Sequence, residues 1–511
     1  MKHSKRIWAA LCCLTLLLAM VLPAAAEDGF STSYTYTYDY WEDVQESPDA
    51  YRVATVIDSM TLGMDKLDNR RLTRAQSLFA IGDALYICDT GNNRILEIIR
   101  KDGQYTLSRV ITEMKGAQEN TFSSPYDIAA DEEGNLYVAD YGHQRVTKMD
   151  RDLNWIQDFI KPTDATFDQS LNFLPKKIVI DVAGRVYALC QNVNKGLVKY
   201  EADGTFSGFI GANAVSVSMT EYIWKRYFQT KEQRAQSESF VPTEYENIYI
   251  DREGFIYATN TAFSEYDLKS DAAKPIRRLN SLGSDILIKN DRFPPIGDLE
   301  WVEGGDGRSD TSGPSKFADI TVLENDIYVA LDRVRGRLFG YDSQGVLLWA
   351  FGTKGNTEGA FTGAISIEHM GYDLLVLDWL ENSITVFTPT EYGRAIYAAG
   401  EKYLDGEYDE SAELWQEVLK MNANYPLAFR GIGRAILRQN RFEEAMDYFR
   451  LAHDRENYGR AFKLYRKDWV ESNIWWIILI LAAVLIVPLA VGRAKKLKWE
   501  VSEHERSKIR K

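Results

Sequence analysis

Cysteine and histidine are scarce in this chain of 511 residues, which holds four cysteines and five histidines. Cys12 and Cys13 lie in an apolar N-terminal run, so Cys88 and Cys190 are the two that remain beyond it. Each follows a short apolar tract. Cys88 lies two residues after the tyrosine of its tract and Cys190 lies three residues after the tyrosine of its own. Side chains alternate along a strand, so the two thiols should face opposite sides of their sheets. We therefore expect two free thiols, although an exported protein could pair them.

Several catalytic signatures are also absent. The sequence has no HExxH, CxxC or GxSxG motif, so neither a zinc site of the usual kind nor a serine nucleophile elbow is expected. It has no N-x-[ST] sequon, which fits a bacterial protein. The formal net charge is −14, and the basic N-terminus and C-terminal tail mean that the region between them is more acidic still. A surface that acidic repels nucleic acid.

The two ends of the chain have targeting features. Residues 1–26 combine a basic start, an apolar run and the small residues Ala24–Ala26, which is the pattern of a cleaved secretory signal. Residues 474–491, "IWWIILILAAVLIVPLAV", are 18 uncharged residues, long enough to cross a bilayer. The basic tail 492–511 follows and indicates the cytoplasmic side. The sequence predicts a single-pass protein of the cell membrane, with its N-terminal part outside.

The middle of the chain repeats. "ALYICDTGNNRILEI" returns as "NLYVADYGHQRVTKM", and four looser copies follow. The anchor positions share an apolar strand context and are Tyr86, Tyr137, Tyr187, Tyr257, Tyr328 and Leu375. Each unit reads as a short apolar strand, a Gly or Asn turn, the anchor strand, a polar loop and further strand. This is typical of a four-stranded antiparallel blade, and six blades arranged radially make a propeller.

The first two copies resemble the NHL repeat, and the resemblance extends over residues 51–392. It implies a mainly β fold, a six-bladed NHL-type β-propeller. A ring of blades must close, and Tyr51–Ile57, "YRVATVI", is the expected closing strand. The Tyr-rich segment 27–50 precedes it. There Tyr34, Tyr36, Tyr38 and Tyr40 alternate with small polar residues. We expect this ladder to dock along the outer face or edge of the closing blade; the alternative is an exposed sugar-stacking surface.

Residues 393–470 change to a helical period. "GEYDESAELWQEVL" aligns with "NRFEEAMDYFRLAH" at an offset of 34 residues, matching Trp415 to Phe449. The segment resembles the tetratricopeptide repeat, a 34-residue helix pair. Two explanations stay open: a stiff stalk that holds the propeller off the bilayer, and a docking groove for a protein.

Residues at the starts of the inner strands, most of them polar, are the first set of candidates. They would meet near the propeller axis, and they are Ser77, Asp127, Lys177, Asn247, Asp319 and Ala364. Gluconolactonase-like propellers hold calcium with acidic and amide side chains at such a place, and Asp127, Asn247 and Asp319 are suitable oxygen donors. Lys177 argues against calcium, because its ammonium would compete for the carboxylates. A Lys–Asp network lining the channel is the expected arrangement, with no metal and no cofactor.

Loops after the anchor strands should gather on the same face. Their recurrent acidic and basic residues, Asp89, Arg94, Asp140 and Arg145, match the repeat and are expected to tie strands together. Tyr141, His143, Arg333 and Trp379 break the repeat, which makes them the best binding candidates on this face.

The sequence therefore predicts a membrane-anchored extracytoplasmic binding or scaffold protein, more an interaction protein than an enzyme. Its loop face would bind a protein or a carbohydrate, and by analogy with exported NHL proteins it would be accessory to a transport system. A protein partner would dock on the loops or on the helical segment. The alternative is a calcium-dependent, lactonase-like hydrolase, tested by Asp127→Ala. In a third interpretation the propeller has a purely structural role, and the helical segment recruits a membrane partner.

Overall fold

The computed structural model describes residues 35–39, 41, 43–64, 71–211, 213–214, 240–241, 245–269, 273–289, 294–300 and 313–509. The chain divides into two compact units, Met1–Arg394 and Ala395–Lys511. The proposed signal peptide, Tyr34 and Tyr40 lie outside the described residues, as do large parts of the two longest interblade intervals.

The first unit is a six-bladed β-propeller, which confirms the predicted fold class. Blades 1 to 3 have four antiparallel strands each: Ser77–Ile81, Ala84–Asp89, Arg94–Lys101 and Gln104–Ile111; Pro125–Ala130, Leu136–Asp140, Arg145–Met149 and Trp155–Phe159; Pro175–Ile180, Val186–Cys190, Gly196–Tyr200 and Phe206–Gly211. Blades 4 to 6 contain Asn247–Ile250, Ile256–Thr259 and Ile276–Leu279; Phe317–Val322, Tyr328–Asp332, Arg337–Tyr341 and Leu347–Phe351; Ala364–Met370, Asp373–Asp378 and Ser383–Pro389.

Short elements accompany blade 4, which has three strands in the described part of the chain. Asn213–Ala214 pairs with Phe240–Val241, Leu299–Glu300 pairs with Gly313–Pro314, and helix α1 spans Glu265–Lys269. The two-residue strands Thr353–Lys354 and Ala360–Phe361 pair between blades 5 and 6.

The core lies between neighbouring blades, because each sheet buries both faces. Between blades 2 and 3, for example, Tyr137, Phe159 and Tyr200 are each at most 1% exposed and belong to one apolar cluster. Cys88 and Cys190 are buried and free, as expected. Burial raises the pKa of both thiols, which keeps them protonated and unreactive.

The ring closes as predicted. Tyr51–Ile57 pairs antiparallel with Ser383–Pro389 and becomes the outer strand of blade 6. Closure by the N-terminal strand ties the last blade to the first part of the chain and brings blade 6 to four strands.

The tyrosine ladder docks on a different blade from the one expected. Thr35–Tyr38 forms a hairpin with Val44–Ser47 and pairs with blade 5 through Tyr36 and Ala350, extending that sheet to six strands. The described part of the ladder is covered on both faces between residues 35 and 37, since Tyr36, Thr35 and Thr37 are all buried. Tyr36 Oη donates to Asp298 Oδ1 at 2.7 Å, and Arg337 pairs with the same carboxylate. This buried acceptor, distant in sequence, adds a polar contact to the strand pairing that holds the ladder on blade 5. The described part is therefore no exposed sugar-stacking surface.

The second unit is helical. Helix α2 spans Glu391–Leu404 and begins in the first unit, followed by α3 (Tyr408–Met421), α4 (Pro426–Arg438), α5 (Phe442–Leu451) and α6 (Arg455–Ile509). Trp415 and Phe449, matched in sequence at an offset of 34, are both buried against glycines of α4: a Cβ on Gly431 would lie 2.4 Å from Trp415, and one on Gly433 2.8 Å from Phe449.

Helix α6 contains one segment that is long and apolar enough to cross a membrane. The candidate lies within Arg455–His504, and its most apolar window has a mean hydropathy of 2.9 and contains no buried residue. Residues 474–491 fall inside it. Exposed apolar side chains such as Trp475, Leu485 and Leu489 would be unfavourable in water, so the helix is compatible with a single-pass anchor.

Candidate functional site: the loop face of the propeller

The first layer of this face is a ring of polar side chains at the starts of the inner strands. Five of the six positions are those that the sequence predicted: Ser77, Asp127, Lys177, Asn247 and Asp319. All of these except Lys177, which is half-buried, are buried. The sixth is Ser366 rather than Ala364. The inner strands of blades 2, 3, 5 and 6 share a bulge directly before the ring residue. Ser366 is therefore the counterpart of Asp127, Lys177 and Asp319, and Ala364 lies two residues too early.

Each ring carboxylate joins one blade to the next. Asp127 accepts hydrogen bonds from Ser77 Oγ of blade 1 and from Ile178 N of blade 3, the latter at 2.8 Å. Asp319 accepts from Ser366 Oγ and Ile367 N of blade 6, both at 2.8 Å, and from its neighbour Ile320 N at 2.7 Å. The same contact recurs at two seams, which is the behaviour of a structural clamp.

Lys177 lies among these carboxylates, 3.7 Å from Asp127 Oδ1. Burial lowers the pKa of Lys177, but the charges of Asp127 and Asp319 outweigh it, so the pKa is raised. Burial raises the pKa of Asp319 to about 6, against the opposing charge of Lys177, and it also raises the pKa of Asp127. The ring is a Lys–Asp network, as the sequence indicated, and its fourth member, Asn247, accepts a hydrogen bond from Ile248 N.

The donor set fits a calcium ion poorly. The described residues include no cluster of three or more His, Cys, Asp or Glu side chains placed to hold a metal ion. Calcium takes six to eight oxygen ligands, whereas the oxygens of Asp127 and Asp319 already accept from backbone amides and serines.

The recurrent loop residues support the loops themselves. Asp89 accepts from Thr73 N at 2.8 Å and from Arg94 Nε at 2.6 Å, and both side chains are fully buried. Asp140 repeats this with Ser123 N at 2.7 Å and Arg145 Nε at 3.0 Å.

The glycine two residues after each of these aspartates is required by close approach. A Cβ on Gly91 would lie 2.5 Å from Thr73 O, and one on Gly142 would lie 2.2 Å from Ser123 Oγ. The D-x-G part of the repeat is therefore a packing motif.

His143 belongs to this structural set. Its Nδ1 lies 2.8 Å from Asp140 Oδ2, and it occupies the place of Asn92, whose Nδ2 donates to Asp89 at 2.9 Å. The residue types differ between the two copies, but the contact is the same, so His143 does not break the repeat in space.

Tyr141 does break it. Its ring packs against Tyr126 with centroids 4.6 Å apart and planes tilted by 32°, and its Oη donates to Gln191 Oε1 at 2.5 Å. Both rings are half-buried and Gln191 is exposed. Tyr126 is the bulged residue between Pro125 and Asp127, so it lies just outside the ring. These three residues, the tyrosine pair with Gln191, form an aromatic and amide surface across blades 2 and 3.

Arg333 and Trp379 lie on other blades. Arg333 Nη1 pairs with Glu246 Oε1 at 2.9 Å, which connects blade 5 to blade 4. Nearby Lys316 donates to Thr261 O at 2.9 Å and lies 3.4 Å from the centre of the Phe263 ring. Half-buried Trp379 is held by its backbone N, which donates to Gly363 O at 3.1 Å. The four loop candidates are thus distributed around the face, and of them Tyr141 alone belongs to the tyrosine pair with Gln191.

Besides Ser366 of the ring, three members of this face were missed by sequence reasoning: Tyr126, Gln191 and Glu246. Tyr126 and Glu246 each come directly before a ring residue, so the signal was available one position upstream of Asp127 and Asn247. Gln191 follows Cys190 in the loop after an anchor strand, where Tyr141 follows Asp140; blade 3 was too irregular for that alignment to be seen.

Comparisons with known proteins agree with the fold. The family model of the NHL repeat matches residues 122–149, which span the first three strands of blade 2. No curated protein matches the chain.

Solved structures that match include enzymes. A virginiamycin B lyase from Staphylococcus aureus is 10% identical, with 66% of this chain and 99% of that chain covered at a TM-score of 0.35. A gluconolactonase from Xanthomonas campestris is 12% identical, with 67% and 95% covered at a TM-score of 0.34. Similarity at this level supports no inference about activity.

Proposed function

We propose that the protein is a membrane-anchored extracytoplasmic binding and scaffold protein whose propeller loop face binds a carbohydrate or a protein. The observation that carries this proposal is the tyrosine pair with Gln191. Its rings make no contribution to the aspartate and arginine contacts that hold the loops, yet they remain partly exposed next to a polar amide. Aromatic faces beside hydrogen-bonding groups are suited to sugar rings and to peptide side chains.

The membrane arrangement is part of the same proposal. A cleaved signal on residues 1–26 and an anchor on residues 474–491 would place the propeller outside and the basic tail 492–511 in the cytoplasm. The helical segment would serve as a partner-docking surface, and the protein would be accessory to a transport system. No nucleic acid and no cofactor are part of the proposal.

The alternative, a calcium-dependent lactonase, would need the ring as its metal site. No contact of the ring favours it, because Lys177 and five backbone or serine donors already engage the two carboxylates. Calcium that binds the purified full-length protein and is lost in Asp127→Ala would favour the alternative.

The proposal is tested by screening the detergent-solubilised full-length protein on glycan and peptide arrays. We expect a reproducible ligand whose affinity falls by about tenfold or more in Tyr141→Ala. A ligand ring that stacks on one aromatic side chain gains about 1–3 kcal/mol of binding free energy. Trp155→Ala is the matched control, because Trp155 is 40% exposed in the outer strand of the same blade. A ligand bound equally by wild type and Tyr141→Ala would contradict the proposal.

A further inference from the structure

Two arginines of helix α4 stand apart from the other basic residues of the helical unit. Arg434 and Arg438 are four residues apart, so they lie on one face of the helix. Every other basic residue of α3, α4 and α5 is ion-paired: Lys420 with Glu417 at 2.6 Å, Arg430 with Asp454 at 2.8 Å, and Arg450 with Asp447 at 3.0 Å. Among the residues that the structure describes, neither Arg434 nor Arg438 has a carboxylate within ion-pair distance.

Both guanidinium groups converge on one phenol. Arg434 Cζ lies 4.7 Å from the centre of the Tyr403 ring, and Arg438 Nε lies 3.5 Å from Tyr403 Oη. Burial raises the pKa of Tyr403, but the hydrogen bonds and charges of Arg438 and Arg434 outweigh it, and the pKa is lowered. Two like charges held around a neutral acceptor leave an uncompensated positive field.

We infer that Tyr403, Arg434 and Arg438 form a docking surface for an acidic segment of a partner protein. A carboxylate matches the planar fork of a guanidinium and can accept two parallel hydrogen bonds from it. The inference deepens the partner-docking part of the proposed function and rests on it, but it is independent of the ligand on the propeller.

A lipid headgroup is the less suitable anion. Helix α6 begins at Arg455, and the apolar span begins at Ile474. Nineteen residues of helix rise about 28 Å. Helix α5 packs on the start of α6 and α4 packs on α5, so the arginine pair lies at the end of α6 that is far from the bilayer.

The test uses the full-length protein in nanodiscs of zwitterionic lipid. The probe is a fluorescein-labelled hexaglutamate peptide, with hexaglutamine as its neutral counterpart, and binding is measured by fluorescence anisotropy. We expect hexaglutamate to bind wild type and to lose about tenfold or more in affinity in Arg434→Gln/Arg438→Gln, because charge-assisted bidentate contacts are removed. The matched control is Arg441→Gln/Arg450→Gln, whose arginines already pair with Glu444 and Asp447.

Three results would overturn the inference. They are no binding of hexaglutamate to wild type, equal binding by wild type and Arg434→Gln/Arg438→Gln, and binding of phosphatidylserine vesicles instead of the peptide. Should the double variant not fold, hydrogen exchange on wild type decides: hexaglutamate must protect residues 398–404 and 430–439. Tyr141→Ala must leave peptide binding unchanged, which separates a failure here from a failure of the propeller site.

Discussion

The ring and the loops outside it are two polar layers at one end of the propeller, and they differ in what their side chains contact. In the ring, Asp127 and Asp319 accept hydrogen bonds across blade seams, and Lys177 supplies one positive charge beside them. In the outer layer, Tyr141 and Tyr126 contact mainly each other and Gln191 and stay partly exposed. The charged groups of the ring join the blades, whereas the partly exposed aromatic residues of the outer layer do not, and for that reason the proposed binding site lies in the outer layer.

The largest effect expected is that of removing the cation of the ring. Lys177→Met leaves two buried carboxylates without their counter-charge, and we expect a loss of about 3–5 kcal/mol in the free energy of unfolding. Denaturant unfolding of the full-length protein in detergent, followed by tryptophan fluorescence, measures it.

Lys199→Met is the matched control in the same blade, since Lys199 lies 3.7 Å from a half-exposed Glu201. That loss should stay below about 1 kcal/mol. If both lysine variants lose the same small amount, the ring does not join the blades as described.

The pH dependence of stability gives the next effect. The pKa of Asp319 is about 6 in the folded protein, against about 3.9 in an unfolded chain. The folded state therefore holds a proton that the unfolded state has lost, and stability falls as pH rises from about 4 to 6, by about 3 kcal/mol at most.

The difference in unfolding free energy between wild type and Asp319→Asn, measured from pH 4 to 7, isolates this contribution. The variant should lack the decline between pH 4 and 6 that wild type shows. Parallel curves would mean that Asp319 titrates at its ordinary pKa.

The third effect concerns the base of the outer layer. Gly142→Ala would place a Cβ 2.2 Å from Ser123 Oγ, and Gly91→Ala would place one 2.5 Å from Thr73 O. We expect each to cost about 1–3 kcal/mol through overpacking. Gly400→Ala meets nothing within 4 Å and should be neutral or stabilising. Unfolding midpoints compare the three, and a neutral Gly142→Ala would contradict the packing role of the D-x-G motif.

The smallest effect on stability is expected at Tyr141, the residue whose replacement should weaken ligand binding most. Tyr141→Ala removes one partner of the tyrosine pair, worth about 0.5–1.5 kcal/mol of stability. Tyr141→Phe keeps the ring and loses the contact with Gln191, so it should cost less. A stability loss as large as that of Lys177→Met would make Tyr141 a structural residue.

Much of the fold could be predicted because the strands are short, apolar and regularly spaced. Blade 2 has the clearest repeat, and the closing strand Tyr51–Ile57 followed from the need to close a ring. Blade 5 shows the limit: "YVALD" has one more residue than "YVAD", so Tyr328 pairs with Val322 while Tyr137 pairs with Ala129. Sequence spacing alone does not show on which strand an extra residue is absorbed.

The site was predicted less completely. Asp127, Lys177 and Asp319 were placed correctly because the repeat aligns them: each is the third residue of its inner strand and directly follows the same bulge. Ser366 holds that same position in blade 6 and was missed because the sequence was aligned two residues too early, at Ala364. Tyr126 was missed because the residue inside the bulge differs in type from blade to blade. Tyr36 on blade 5 has its hydrogen-bond acceptor in Asp298, a partner 262 residues away that no local pattern indicates.

The most direct test of the central claim is hydrogen exchange of the full-length protein with and without the ligand found on the arrays. The account predicts slower exchange in residues 123–127, 141–144 and 191–194, around the tyrosine pair with Gln191, and no change on the turns at the opposite end of blades 2 and 3. Slower exchange confined to other blades, or to the opposite end of the propeller, would contradict it.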